Sequence, residues 1–582
     1  MIAGLPALDS ANLPGYVEFM SKNTPLLRSG DGTGLWNLAA MLITLAIIAP
    51  LLAVVWIALT PSENPWLHLI TTVLPRYLTN SLILMLSVGC ITGIIGTGTA
   101  WLVANRSFPG RGILQIALLA PLAIPAYIGA YALVDFLEYA GPVQTGLRGL
   151  FGWENARAYW FPDIRSMPVA VLVLSLSLYP YVYLLSRIAF EEQGMNTLDV
   201  ARALGASPLS TFWRVSLPAA RPAIVAGIAI VMMEVLNDFG TVEFFAIQTL
   251  TTGIFTLWLD AGNAGGAAQI ACLMLALVLI LFVVEKITRH RRKFHSLSRA
   301  PRPIIRQELR GGAGFLAMVV CALPVLLGFF LPISILIAIG DFGAWGSGAL
   351  WRAAANTLGL GFAAAGIAIL GAVALTQATR YATTRWIRRL TPVTTIGYAV
   401  PGAVLAIGVL IPLGRADHAL ADLIEALTGI DPGLLFTGSV AAIVIAYVVR
   451  FFAIAQGAVE SAMARVSPSM DMAARSLGRG RLSTLARLHL PMIRGSILTA
   501  FVLIFVDAIK ELPATLILRP FNFDTLATRA YNFASVEDLE RAAPAALLVV
   551  AAGLIPVFLA AWPVIRRPRS ATAENLVTNP AT

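Results

Sequence analysis

The sequence predicts an all-α membrane protein of twelve transmembrane helices arranged as two parallel six-helix repeats. Three observations carry this prediction. The 582 residues are 58% hydrophobic and 12% charged, too apolar for a water-soluble chain of this length. Twelve apolar runs are long enough to span a bilayer. Finally, one polar word recurs. Asp199-Val200-Ala201-Arg202-Ala203-Leu204-Gly205 is followed, after nine residues, by Val215-Ser216-Leu217-Pro218. At an offset of 273, Met472-Ala473-Ala474-Arg475-Ser476-Leu477-Gly478 is followed, after nine residues, by Leu488-His489-Leu490-Pro491.

Taken in order, residues 1–34 are polar and mixed. A secretory signal would place a short apolar run near the start, so this stretch is read as a cytoplasmic N-terminal segment. The first repeat occupies 35–285, with spans at about 35–59, 80–103, 112–137, 168–189, 219–241 and 266–285. A basic linker, 286–312, carries Arg289, Arg291, Arg292 and Lys293 and is read as a topology determinant beside anionic lipid. The second repeat occupies 313–567, with spans at about 313–340, 356–378, 391–413, 437–457, 494–518 and 543–565, and 568–582 form a tail. With the N-terminus inside, the inner segments after the first span carry 29 Lys and Arg against 9 in the outer loops, with Lys510 inside a span. This bias places both termini and both glycine loops in the cytoplasm.

The repeat extends beyond the loops. Asn80-Ser81-Leu82 matches Asn356-Thr357-Leu358, and Pro121-x3-Pro125 matches Gly397-x3-Pro401, both at an offset of 276. Six spans per copy give the copies one orientation, with a pseudo-twofold axis along the membrane normal and a pathway at their interface. In each loop the glycine can end a helix in the left-handed conformation. A short helix fits in the nine residues that follow, and the Leu-Pro pair begins the next membrane helix.

Charged residues at membrane depth are rare and face partners or watery cavities. Glu234 and Asp238 recur as Asp507 and Glu511, and Asn237 corresponds to Lys510, all at an offset of 273. Spacing of i, i+4 puts each acidic pair on one helical face. In one reading these groups brace helices, with Lys510 paired to Asp507 or a neighbouring acid. In the other they line a translocation path for a cation, where a hard, oxygen-seeking ion suits carboxylates.

Both loops resemble the EAA-x3-G-x9-I-x-L-P loop of binding-protein-dependent ABC import permeases, with Asp199 in place of the first glutamate, Val200 in place of the first alanine, and Met472 in place of the second glutamate, next to Asp471. The resemblance implies a type I ABC importer permease fold, and it implies that Asp199, Ala201, Gly205, Ala206, Ser207, Pro208, Leu217 and Pro218, with Met472, Ala473, Gly478, Arg479, Gly480, Leu490 and Pro491, form elements docking on two cytoplasmic ATPase subunits. An extracytoplasmic binding protein would deliver the substrate. Asn237-Asp238-Phe239-Gly240-Thr241-Val242, Thr251-Thr252-Gly253-Ile254, Lys510-Glu511-Leu512-Pro513-Ala514-Thr515 and Arg519 through Thr528 are similar to words of the fused ferric-iron permeases. Fused thiamine and phosphonate permeases share the layout, so the substrate stays open between these. The implied location is the bacterial inner membrane.

The chain has no G-x4-G-K-[ST] phosphate loop, so ATP and Mg²⁺ are expected on the partner ATPase and no cofactor in this chain. Its three cysteines lie in apolar runs and its five histidines show no ligand spacing. No catalytic constellation, metal site or nucleic-acid partner is expected. A gradient-driven secondary transporter can share the twelve-span, two-half layout. The major facilitator word expected between spans two and three is missing from Ala104 to Gly112. A channel or scaffold would leave the paired loops without a role.

Overall fold

The computed structural model describes residues 33–61, 64–193, 207–290, 306–381 and 391–566. Asp199, Ala201, Gly205 and Ala206 of the first loop lie outside the described residues, as do the first 32 residues, linker positions 291–305 and the tail from 567. Twelve principal helices follow in order: α1 (Thr33–Leu59), α2 (Leu74–Asn105), α3 (Ala126–Leu137), α4 (Met167–Glu192), α5 (Leu217–Asn237), α6 (Ala264–His290), α7 (Gly311–Ile339), α8 (Gly348–Tyr381), α9 (Gly402–Thr428), α10 (Val440–Met463), α11 (Leu490–Ile509) and α12 (Leu539–Arg566). Ten are long and apolar enough to cross a membrane, and the bent segment containing α3 makes an eleventh. The 28-residue α12 stands at the twelfth predicted span.

The third span is not the continuous helix that its apolar run predicts. It breaks between Ala123 and Ala126 with a bend of 91°. Proline is the cause: Pro125 has no N–H to continue the ladder, and it forces Ile124 into extended backbone (φ −98°, ψ 115°). The second repeat does the same. Residues Thr391–Ala399 form 3₁₀ turns, and α9 begins only after Pro401, so the ninth span starts later than predicted. Pro125 (φ −55°, ψ 139°) and Pro401 (φ −57°, ψ 142°) cap their helices with the same geometry.

The repeat is visible bond by bond. Asn80 Nδ2 donates to the Gln248 carbonyl and Asn356 Nδ2 to the Asp524 carbonyl, both at 2.9 Å. The Leu250 N–H donates to Ser81 Oγ (3.0 Å) and the Leu526 N–H to Thr357 Oγ1 (2.8 Å). Thr249 and Thr525 each begin a short helix with a reciprocal capping box to Thr252 and Thr528. Ser166 and Ser439 stand at the N-termini of α4 and α10 at the offset of 273. The offset is 276 again at Thr249 and Thr525, because the second repeat has three extra residues after Glu511.

Each repeat lends its first helix to the other. Helix α1 packs on α8 and α9 as well as on α6, and α7 packs on α3, α4 and α12. Close approaches fix both crossings: a Cβ on Gly408 of α9 would collide with the backbone of Pro50 in α1, and one on Gly328 of α7 with the Leu176 carbonyl of α4. The described end of the linker is also pinned. Gln307–Glu308 pairs in parallel with Arg106–Ser107, and Arg306 Nε donates to the Ala104 carbonyl at 3.2 Å.

Candidate translocation cavity and coupling elements

Helices α5 and α11 end where charged residues begin, and this shapes the site. Helix α5 stops at Asn237, with Asp238 in extended backbone (φ −68°, ψ 127°). Helix α11 stops at Ile509, short of its predicted end, and a separate helix covers Pro513–Leu518. The acidic pairs therefore do not share one continuous helical face, as their spacing predicts. Only Glu234 and Asp507 lie within the helices.

Asp238 and Glu511 turn forward instead. Asp238 Oδ1 accepts from the N–H groups of Thr241 (2.9 Å) and Val242 (3.2 Å), and Oδ2 accepts from Thr241 Oγ1 (2.9 Å). Glu511 Oε1 accepts from the Ala514 N–H at 3.1 Å. Each carboxylate thus satisfies amides opening the next short helix, an alternative to continuing the longer one.

All five predicted pathway residues, Glu234, Asp238, Asp507, Lys510 and Glu511, line one cavity of about 150 Å³. At about 30 Å³ per water in the liquid, that is room for roughly five waters. The cavity lies between the repeats. A Cβ on Gly240 of the first would stand 3.0 Å from Leu512 of the second. Lys510 Nζ donates to the Leu122 carbonyl across the interface at 2.6 Å, so its bond is to first-repeat backbone and not to Asp507. Among the described residues, Glu234 and Asp507 have no hydrogen bond or ion pair.

Sequence reasoning missed Arg450. The tally of 29 inner cations includes it, but it lies in α10 and lines the cavity. Its Nη1 stands 2.8 Å from Glu511 Oε2, with side chains only 10% and 4% exposed. The signal was available: Arg450 falls within the run predicted to span at 437–457. The repeat-related position is Ser177, as Asn237 is to Lys510. Both cations therefore come from the second repeat, and four carboxylates face two cations, a formal excess of two negative charges.

The second loop is described throughout. A helix over Pro468–Ser476 is capped by Ser467 and carries Met472, 57% exposed, with Ala473 also exposed. Gly478 is left-handed (φ 72°), Arg479 is exposed, and Gly480 caps Arg481–Thr484. The short helix is not separate from the membrane helix, as the sequence predicts. Arg481–Ile509 is one 29-residue helix, joined through π-helical Leu485–His489. The first repeat matches: Ser207 accepts the amide of Ser210, Pro208–Thr211 is helical, and π-helical Phe212–Ser216 leads into α5 at Leu217-Pro218. A third π-segment, Leu326–Phe330, precedes Leu331-Pro332. Each proline lacks the N–H that would bond the carbonyl four residues back, and a wider turn absorbs this without ending the helix.

At the opposite end, Arg165 joins Glu138 (2.5 Å) of the first repeat to Glu537 (2.7 Å) of the second. Hydrogen bonding to Glu138 raises the guanidinium above its ordinary pKa.

A duplicated helical bundle enclosing one charged cavity between its halves defines a polytopic membrane transport core. The chain belongs to the family described as binding-protein-dependent transport system inner membrane component, whose model matches residues 93–293 and 372–564, once in each repeat. It is 26% identical over 496 residues to the Fe(3+)-transport system permease protein FbpB 2 of Haemophilus influenzae, covering 83% of this chain and 88% of that protein. The ferric transport system permease protein FbpB of Actinobacillus pleuropneumoniae is 22% identical over 489 residues, 80% of this chain and 67% of that protein. The molybdenum transport system permease protein ModB of Escherichia coli K12 is 29% identical over 193 residues, 32% of this chain but 81% of that protein.

Proposed function

We propose that this chain supplies both halves of the membrane core of an ATP-driven ferric-iron importer. The observation that carries this reading is the cavity shared by the repeats, where four carboxylates face two cations and, among the described residues, Glu234 and Asp507 make no hydrogen bond or ion pair. The similarity to ferric permeases across both repeats supports it. Asp238 and Glu511 hold helix ends, so Glu234 and Asp507 are the groups that meet the ion. Among the described residues no three His, Cys, Asp or Glu side chains cluster to cage a metal, so this pair attracts a hydrated cation without trapping it, as passage requires.

Two cytoplasmic ATPase subunits, binding ATP and Mg²⁺, dock on the elements around 199–218 and 472–491. An extracytoplasmic binding protein delivers iron at the opposite end. Closure of the ATPase pair draws the coupling elements together and favours the outward-open core; hydrolysis restores the other state. The driving free energy is the difference in ATPase affinity for the two states.

The test is ATP-dependent uptake of radioactive ferric iron into proteoliposomes carrying permease, ATPase and binding protein. Glu234→Gln and Asp507→Asn should each reduce uptake while ATPase binding survives, whereas Asp238→Asn and Glu511→Gln should act mainly through stability. Uptake that is robust in Glu234→Gln and Asp507→Asn would keep iron and discard the carboxylate path. A second reading, an oxyanion importer, is favoured by Arg450 and Lys510 in the cavity and by the similarity to a molybdenum permease. Uptake of molybdate or sulfate, with none of iron, would establish it.

A further inference from the structure

The base of the second coupling element contains a largely buried chain of hydrogen-bonded side chains. His489 is fully buried in the π-helical stretch before α11. Its Nε2 lies 2.7 Å from Asp471 Oδ1, on the Pro468–Ser476 helix. Its Nδ1 lies 2.8 Å from Gln377 Nε2, on α8. The second oxygen of Asp471 accepts from Arg380 Nε at 2.7 Å, near the end of α8. Arg380 then donates to the Met463 carbonyl (3.3 Å) and the Val466 carbonyl (3.0 Å) at the end of α10. Four side chains thus bind the coupling helix to the ends of α8 and α10 and the entry of α11.

With Gln377 donating, Nδ1 accepts and Nε2–H donates to Asp471, which fixes the imidazole in one tautomer and orientation. A buried network of this kind holds its members in one relative geometry, because any displacement leaves polar groups unpaired in a low-dielectric place. The first repeat does not carry the set. Its related positions are Leu198 and Ser216, at the offset of 273, and Trp101 and Ala104, at 276. The Trp101 ring packs edge-on to Phe212 (5.1 Å between centroids), and the Ser216 carbonyl accepts from Gln193 Nε2 at 2.9 Å.

We infer that His489 is a positioning residue that makes the second coupling element move as one body with α8, α10 and α11, so that the ATPase drives the core chiefly through the second repeat. Asp471, the acid beside the Met472 that stands in place of the family glutamate, points inward to the bundle. The exposed side chains of Met472 and Leu477 (79% exposed) remain for the partner. This inference rests on the proposed coupling to an ATPase.

The experiment uses the reconstituted permease, ATPase and binding protein, and reads iron moved per ATP hydrolysed. His489→Ser, which installs the first repeat's residue, should lower that ratio at least about threefold while ATPase binding and hydrolysis persist, the scale of a coupling residue that touches neither ligand. His489→Gln, whose amide can still donate to Asp471, should restore most of it, and Ser216→Ala in the first repeat should leave it unchanged. Should His489→Ser fail to assemble, Arg380→Gln carries the same test with the imidazole in place. A purely structural role would reduce hydrolysis and uptake together and leave the ratio constant. A constant ratio in both the His489 and Arg380 variants overturns the inference, as does an equal fall in Ser216→Ala. If the wild-type complex binds no ATPase, the importer reading fails instead.

Discussion

Breaking the Arg450–Glu511 pair should be costly, and more so from one side than from the other. The groups lie 2.8 Å apart with side chains 10% and 4% exposed, so solvent screens them little. Removing one member of such a pair costs about 3–5 kcal/mol, mostly because the remaining charge stays buried. Glu511→Gln leaves Arg450 beside Glu234 and Asp507 in the same cavity and keeps an oxygen for the Ala514 N–H. It belongs at the low end, about 3 kcal/mol. Arg450→Met leaves Glu511 with that N–H and three acidic neighbours, and belongs at the high end, about 5 kcal/mol. The double variant should cost less than the sum, about 5 rather than about 8 kcal/mol, since neither member of the pair is left buried without the other. A double-mutant cycle on the detergent-solubilised chain, read by equilibrium unfolding, should give a coupling of about 3 kcal/mol, a factor of roughly 150. That coupling should persist at high salt. Single effects below about 1 kcal/mol, additive within about 0.5, would refute the reasoning.

Ser81→Ala and Thr357→Ala each remove the acceptor of a buried amide, that of Leu250 or Leu526. Each should cost about 1–3 kcal/mol and accelerate hydrogen exchange at that amide. Thr249→Ala and Thr525→Ala break the matching capping boxes and should each cost about 1 kcal/mol, with similar values in the two repeats if the duplication is energetic as well as geometric. Asp417→Ala releases the amides of Leu435, Phe436 and Thr437, all held by its carboxylate at 2.7–2.9 Å. Proteolysis within 430–438 should quicken while α9 stays protected. Gly240→Val would drive a side chain into Tyr127 and Leu512 where the repeats meet. Overpacking of about 1–3 kcal/mol should appear as a lower midpoint in thermal unfolding.

Much of this molecule is written in single-residue signals. The apolar runs give the helices, and the offsets of 273 and 276 give the repeat. Even the Asn-Ser and Asn-Thr matches prove to be paired tethers to the Thr249 and Thr525 turns. The breaks were less legible. Pro121 and Pro125 mark the repeat, but hydropathy averages across a bend, and the run 112–137 is apolar apart from Gln115 and Asp135. The acidic pairs had helical spacing, yet Asp238 prefers three donors from the next turn to another residue of helix. Arg450 was lost because charge counting assigns a cation near a span's end to the adjoining loop. The exchange of α1 and α7 between repeats has no sequence signal at all; it depends on which glycine grooves the helices find in three dimensions.

The two repeats agree in backbone and differ in charge, and the geometry of a shared axis explains why. Proline caps, π-segments and threonine boxes serve bonds within one repeat, so each copy needs its own. A cavity on the pseudo-twofold axis is different, because a charge from either copy acts on the whole space. Arg450 and Lys510 therefore need no counterparts at Ser177 and Asn237. Glu234 and Asp507 were kept on both sides, and they are the acids with no bond to make within their own repeat. If a passing ion must be met equally from both halves, those are the residues whose duplication has a use, and the asymmetric cations set how strongly the pair attracts it.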